Sequence, residues 1–95
     1  MVVVGKDVID DFIRKNPKSK SAMTRWITIT EGETWKSLVD LKKTFNATDY
    51  VPPEHTVFDI GGNKYRVITT IDYRLSLVAV THALTHTEYD KDKWK

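Results

Sequence analysis

Thr56-Val57-Phe58-Asp59-Ile60-Gly61-Gly62-Asn63-Lys64-Tyr65-Arg66-Val67-Ile68-Thr69-Thr70-Ile71-Asp72-Tyr73 is the stretch that decides the fold. Thr56 to Ile60 and Lys64 to Tyr73 are rich in β-branched and aromatic residues, which suit a pleated, half-buried surface. Gly61-Gly62-Asn63 between them tolerates positive φ, as a tight hairpin requires. Two antiparallel strands are predicted. Going towards the C-terminus, Leu77 to Leu84 reads as the next strand. Thr85-His86-Thr87-Glu88 then fits the S/T-x-x-E capping box, so a short helix begins there.

Going towards the N-terminus, Asn46 to Pro53 reads as a loop, because Pro52-Pro53 disfavours regular structure. Ser37 caps a helix, with Asp40 three residues on and Leu38, Leu41 and Phe45 as its inner stripe. An earlier helix starts near Ser19 or Ser21 and buries Ala22, Met23, Trp26 and Ile27. Its end is open at this level, since Ile27-Thr28-Ile29-Thr30 also reads as strand; Glu31-Gly32 breaks it. From Lys6 to Lys15, Val8, Ile9, Phe12 and Ile13 recur at helical spacing opposite Asp10, Asp11 and Arg14. Asn16-Pro17 stops that helix. Val2-Val3-Val4 reads as a short buried strand ended by Gly5. The expected class is α+β, with N-terminal helices packed on a small antiparallel sheet.

Ninety-five residues make one domain with a thin core, here residues 1–95. With 40% hydrophobic and 29% charged residues, the chain suits a soluble globular domain and not a disordered one. The absence of cysteine excludes disulfides and thiolate metal sites, and fits a reducing compartment. No apolar run is long enough for a membrane helix, and Met1-Val2-Val3-Val4 passes at once into Gly5-Lys6-Asp7, unlike a secretory signal. A cytoplasmic protein with no membrane partner is expected. The net charge of +2 selects no partner. Residues 1–48 carry 9 Lys/Arg against 6 Asp/Glu, and residues 49–95 carry 6 against 7, so the positive excess lies in the first half. A phosphate-binding surface is allowed, and so is an ordinary solvated one.

Alternation places Lys64, Arg66, Ile68, Thr70 and Asp72 on one face of the central strand. On the following strand it places Val78, Val80, His82 and Leu84 together. With Thr85 as N-cap, His86 lies in the first turn of a helix, Tyr89 at i+3 on nearly the same side, and Lys93 at i+4 from Tyr89. The free N–H groups of a helix start would seat a phosphate. His, Tyr, Lys and Arg around one phosphate can cleave RNA without metal: one group takes the 2′-hydroxyl proton, cations stabilise the phosphorane, and another group protonates the leaving 5′-oxygen. Each residue also has a structural reading. His86 fits a surface position, Tyr89 packing, Lys64 and Arg66 a solvated face, and His82 a partly buried core histidine. Three histidines without paired carboxylates at ligand spacing argue against a metal site, and no cofactor loop is present: Gly61-Gly62-Asn63 lacks the phosphate-loop pattern. Of the tryptophans that could stack bases, Trp26 reads as helix core, while Trp94 near the end is expected to be freer.

Phe58-Asp59-Ile60-Gly61-Gly62-Asn63-Lys64-Tyr65-Arg66-Val67-Ile68, followed by Leu84-Thr85-His86-Thr87-Glu88-Tyr89-Asp90-Lys91, resembles the signature of HigB-type toxins of bacterial type II toxin–antitoxin systems. Trp26, Thr34-Trp35-Lys36, the Leu38 to Phe45 helix and Ala47 to Val51 follow the same family course, so the likeness covers nearly the whole chain. The resemblance implies a RelE/ParE-like toxin fold and a ribosome-dependent endoribonuclease, an mRNA interferase that cuts translated mRNA. It implies a helix-turn-helix antitoxin of the HigA type as partner, with operator DNA bound only through the antitoxin complex. Carried over by position, it makes Arg66 the phosphorane stabiliser, His86 the acid or base, and Tyr89 an orienting or proton-donating group. Lys64 joins this catalytic set, while Asn63 shapes the turn beside the RNA. Lys91, Lys93 and Lys95 are the expected RNA contacts. One departure stands out: where the family usually carries Ile-Arg before the second block, this chain has Val80-Thr81. Two other functions compete. One is a non-catalytic toxin acting on another target such as DNA gyrase. The other is a degenerate toxin that only represses its operon with its antitoxin.

Overall fold

The computed structural model describes residues 1–95. Its elements run β1 (Val2–Val4), α1 (Lys6–Lys15), a 3₁₀ turn (Pro17–Ser19), α2 (Lys20–Glu31), α3 (Leu38–Thr44), β2 (Thr48–Val51), β3 (His55–Ile60), β4 (Tyr65–Asp72), β5 (Leu77–Thr85) and α4 (His86–Asp90). The strands form one sheet in the order β1-β5-β4-β3-β2. The hairpin quoted above lies at its centre, with Ile60 opposite Tyr65 and Asp59 opposite Arg66. Gly61, Gly62 and Asn63 all take positive φ in the turn, as the sequence required.

Two expectations about the sheet are corrected. It is mixed and not purely antiparallel, because β1 pairs parallel with β5. Four helical segments and three strands intervene between β1 and β5, a connection long enough for a parallel return. As an edge strand, β1 buries only Val3; Val2 and Val4 are exposed, so it is not the buried strand expected. Gly5 then turns the chain at φ +82°, where an added Cβ would lie 2.5 Å from the Val80 carbonyl oxygen. The second correction is β2. Thr48–Val51 pairs antiparallel with β3 where a loop was expected. It is an edge strand that stops before Pro52-Pro53, so the prolines remove no ladder hydrogen bond.

The helices follow their apolar stripes. Met23, Trp26 and Thr30 are buried along α2, three and four residues apart. This helical period settles the Ile27–Thr30 ambiguity in favour of helix. The Ser37 side chain accepts from the Asp40 N–H at 3.3 Å and caps α3. The fourth helix lies at the C-terminus, so the helices do not all precede the sheet.

A β-bulge divides β5. The register passes from Thr69 opposite Val80 to Ile68 opposite His82, which leaves Thr81 as the extra residue. Its hydroxyl donates to the Ile68 carbonyl at 3.1 Å. The bulge inverts the alternation. Val78 and Val80 join the main core, while Leu84 joins the opposite side of the sheet, so the predicted common face of Val78, Val80, His82 and Leu84 is split.

The main core fills the side under α1, α2 and α3. Trp26 and Phe58 meet edge to face at 5.1 Å, and Trp35 and Phe45 at 6.0 Å. On the other side Val57 and Ile68 are covered by Trp94, with Val51, Leu84 and Tyr89 around them. Trp94 is therefore not free: only 8% of it is exposed. The last residues fold back because two buried strands would otherwise present bare Val57 and Ile68 to water. No helix is long and apolar enough to cross a membrane.

Candidate active site

The start of β4, the end of β5 and α4 meet at one corner of the sheet. Backbone pairing does the positioning. Tyr65 lies opposite Thr85 and Arg66 opposite Leu84. One step further, the His86 N–H donates to the Lys64 carbonyl at 2.9 Å. Thr85 starts α4 with a complete capping box: its hydroxyl accepts from the Glu88 N–H at 3.2 Å, and its own N–H donates to the Glu88 carboxylate at 2.9 Å. The structure therefore gathers Asn63, Lys64, Arg66, His86 and Tyr89, which the sequence drew from two separate blocks.

Arg66 is the anchor of this corner. Its Nε pairs with Asp59 at 2.9 Å, and its Nη1 donates to the carbonyls of Asn63 at 2.9 Å and Tyr65 at 3.1 Å. The guanidinium lies 5.4 Å from the centre of the Tyr89 ring. Arg66 is only 9% exposed, so the solvated face that alternation allowed is not what it occupies. Three contacts hold the plane of the group and leave Nη2 uncommitted, the arrangement that lets a fixed cation meet phosphate oxygen. Asn63 thus holds Arg66 through its carbonyl and shapes the turn. Lys64 is exposed beside it.

Electrostatics separate the ionisable groups. Burial raises the Asp59 carboxyl above its ordinary value; Arg66 opposes this and Asp49 adds to it. Burial also raises the Tyr89 phenol, helped by the negative fields of Asp49 and Asp59. A phenol held in its protonated form can donate a proton and cannot serve as a base at neutral pH. His86 Nδ1 faces Asp90 at 3.3 Å, which leaves Nε2 as the ring nitrogen without a partner.

His86 and Tyr89 keep the i+3 relation on α4 but differ in surroundings. His86 is exposed next to Asp90, while Tyr89 is turned onto the sheet and stacks on Trp94 at 5.3 Å. The expected helix-start phosphate seat is narrowed. The helix has five residues, and the N–H groups of Thr85, His86 and Glu88 are already used, one of them by a carboxylate. Lys93 lies beyond the helix, so its i+4 relation to Tyr89 is not helical. Lys91 and Lys93 line a depression with His82, Leu84, Glu88 and Trp94. Lys95 pairs with Asp92 at 3.3 Å and lies over the Trp94 ring at 5.8 Å.

Two histidines join this face that spacing did not assign to the site. His55 and His82 approach the edge of Trp94 at 5.4 and 6.5 Å. His82 Nδ1 lies 3.0 Å from the Thr81 hydroxyl. Burial and the neighbouring His55 lower its pKa, so the ring is neutral at physiological pH and able to accept a proton. The signal for His55 was present in the sequence, since His55, Val57 and Asp59 alternate on one face. The signal for His82 was masked by the bulge.

Fold and site together define a small α+β protein whose acid–base and cationic groups are collected at one solvent-facing corner. The architecture is compatible with a RelE-like toxin fold. Residues 19–92 match the family described as HigB_toxin, the RelE-like toxic component of a toxin–antitoxin system, and the chain belongs to that family. Membership implies an antitoxin partner. The mRNA interferase toxin HigB of Escherichia coli (strain K12) is 28% identical over 93 residues, covering 95% of this chain and 88% of the relative. The mRNA interferase HigB proteins of Escherichia coli O157:H7 and Shigella flexneri match with the same identity and coverage.

Proposed function

We propose that this toxin is a ribosome-dependent endoribonuclease that cuts translated mRNA in the cytoplasm, and that a HigA-type helix-turn-helix antitoxin neutralises it and carries the complex to operator DNA. The observation that carries the reading is the clamped Arg66 guanidinium, with one nitrogen uncommitted, set over a protonated Tyr89. In this mechanism the 2′-oxygen forms a bond to phosphorus as the bond from phosphorus to the 5′-oxygen breaks. Arg66 and Lys64 stabilise the added charge of the phosphorane. His86, with Nε2 unpaired, takes the 2′-hydroxyl proton, and Tyr89 orients the phosphate or supplies a proton to the leaving 5′-oxygen. Lys91 and Lys93 hold neighbouring phosphates. No step requires a cofactor. The relatives named mRNA interferases support the reading.

The test maps mRNA 5′ ends by primer extension after induction of wild type, Arg66→Ala and His86→Ala in separate cultures. New ends inside translated frames, present in wild type and lost in both variants, are expected. Losing one such stabilising group typically costs on the order of 10²–10³ in rate. Cuts that persist in both variants would remove these residues from the chemistry. Growth arrest without cuts would turn attention to another target such as DNA gyrase, and no arrest at all would indicate a toxin kept only for operon repression.

A further inference from the structure

A second basic feature borders the corner. Between α2 and the β3–β4 hairpin runs an open groove of about 630 Å³, the size of site that holds a small ligand or a nucleotide. Gly61 lines it where no side chain fits: a Cβ built there would lie 3.5 Å from Ala22 Cβ and 2.7 Å from the Tyr65 ring. Lys18, Arg25 and Lys64 line it. Lys18 comes from the 3₁₀ turn that leads into α2, and Arg25 from α2 itself. None of the three has a carboxylate within ion-pair distance. The groove's one acid, Asp59, is already held by Arg66. Lys20 and Thr24 continue the polar surface beside Lys18 and Arg25. The floor is apolar and aromatic, with Tyr65 and Phe45 half-buried.

From this continuity we infer that the groove carries the single-stranded RNA next to the scissile phosphate, with Lys18 and Arg25 on flanking phosphates and Tyr65 or Phe45 against a base. Unpaired cations above an aromatic floor are the arrangement that binds single strands without reading their sequence. Lys64 lines the groove and its carbonyl accepts from the His86 N–H, so the hairpin end is the shared border round which one strand would pass from the helical side of the sheet to the corner. The inference rests on the nuclease reading for its direction, and its test does not depend on cleavage.

The probe is a labelled single-stranded RNA, fully 2′-O-methylated so that it cannot be cut, followed by fluorescence anisotropy over a series of salt concentrations. Lys18→Gln/Arg25→Gln is compared with wild type and with Lys36→Gln/Lys42→Gln, which removes the same charge from exposed positions outside the groove. The groove variant is expected to bind at least about tenfold more weakly, with a salt slope lower by about 1.4 for two lost phosphate contacts. The control is expected to change little. Equal weakening in both variants would reduce the effect to net charge and overturn the proposal. An unchanged groove variant would also overturn it, and would leave the three cations to an acidic protein partner. Mapped cleavage is scored separately in wild type and His86→Ala. Loss of the nuclease reading there would leave the anisotropy result standing, and a nuclease with an idle groove would be equally visible.

Discussion

Arg66 is the residue at which identity is expected to matter more than charge. A lysine there would keep one positive charge but could not bridge Asp59 and two backbone carbonyls in one plane. Arg66→Lys is expected to lose about 10²-fold or more in cleavage rate and about 2 kcal/mol in stability, because Asp59 and the carbonyls lose charged hydrogen bonds in a mostly buried place. Rate measured in a translating extract, set beside urea unfolding, checks both halves. Full activity in Arg66→Lys would show that a point charge suffices. His82 makes a different claim. Its folded pKa lies below the ordinary imidazole value of about 6.5 because burial, then His55, disfavours the cation. A depressed base contributes stability above its unfolded pKa and loses it as pH falls through the folded value. Wild type is therefore expected to weaken from about pH 6.5 downward more steeply than His82→Phe. Urea midpoints at several pH values from 7.5 to 5 supply the comparison, and parallel curves would assign the acid sensitivity elsewhere.

At the level of elements, the sequence was readable wherever the deciding interactions were local. The Gly61-Gly62-Asn63 turn, the Ser37 cap and the Thr85/Glu88 capping box each depend on residues within a few positions, and each formed as the residue types required. What could not be read was set by distant partners. Nothing within Thr48–Val51 says that it pairs with β3, and nothing in Val2–Val4 says that its partner is the parallel β5. The Thr81 bulge is the most consequential case. It carries no glycine or proline to announce it, yet it moves His82 and Leu84 to the face that holds Arg66. The candidate corner was legible as two motif blocks. The different surroundings of His86 and Tyr89 were not, because they depend on Trp94 packing on the Tyr89 ring from outside the helix. The capping box is then a prediction in itself. Thr85→Ala is expected to cost about 1 kcal/mol. Since the one-turn helix has no buried residue to hold it, cleavage should fall as the helix end frays. Hydrogen exchange at the Glu88 amide would report the fraying directly, and unchanged protection would show that α4 is held by its packing alone.

For the whole molecule, the two sides of the sheet divide the work. The helical side carries the thick core around Trp26, Trp35 and Phe58, and the opposite side carries the thin cluster of Val57, Ile68 and Trp94 that also supports Tyr89. A domain of this size has roughly 5–15 kcal/mol of net stability, so neither cluster is dispensable. Removing a large buried aromatic side chain commonly costs about 3–5 kcal/mol. Trp94→Ala should fall at or below the lower end, since it lies on the thin side, near the chain end, where the cavity opens to solvent. Its effect on the site should be larger than its effect on the fold. The indole N–H donates to the Tyr89 carbonyl at 3.3 Å, and the ring backs the Tyr89 phenol that Arg66 overlies. Trp94→Phe keeps an aromatic surface over Val57 and Ile68 but removes that hydrogen bond. The expected order of stability is wild type, Trp94→Phe, then Trp94→Ala, with the phenylalanine variant within about 1.5 kcal/mol of wild type. The expected order of cleavage rate is the same. In Trp94→Ala the rate should drop at least tenfold even at a temperature where circular dichroism shows it fully folded. If the folded alanine variant cuts at the wild-type rate, Tyr89 is positioned by Arg66 alone and the thin core has only a structural role.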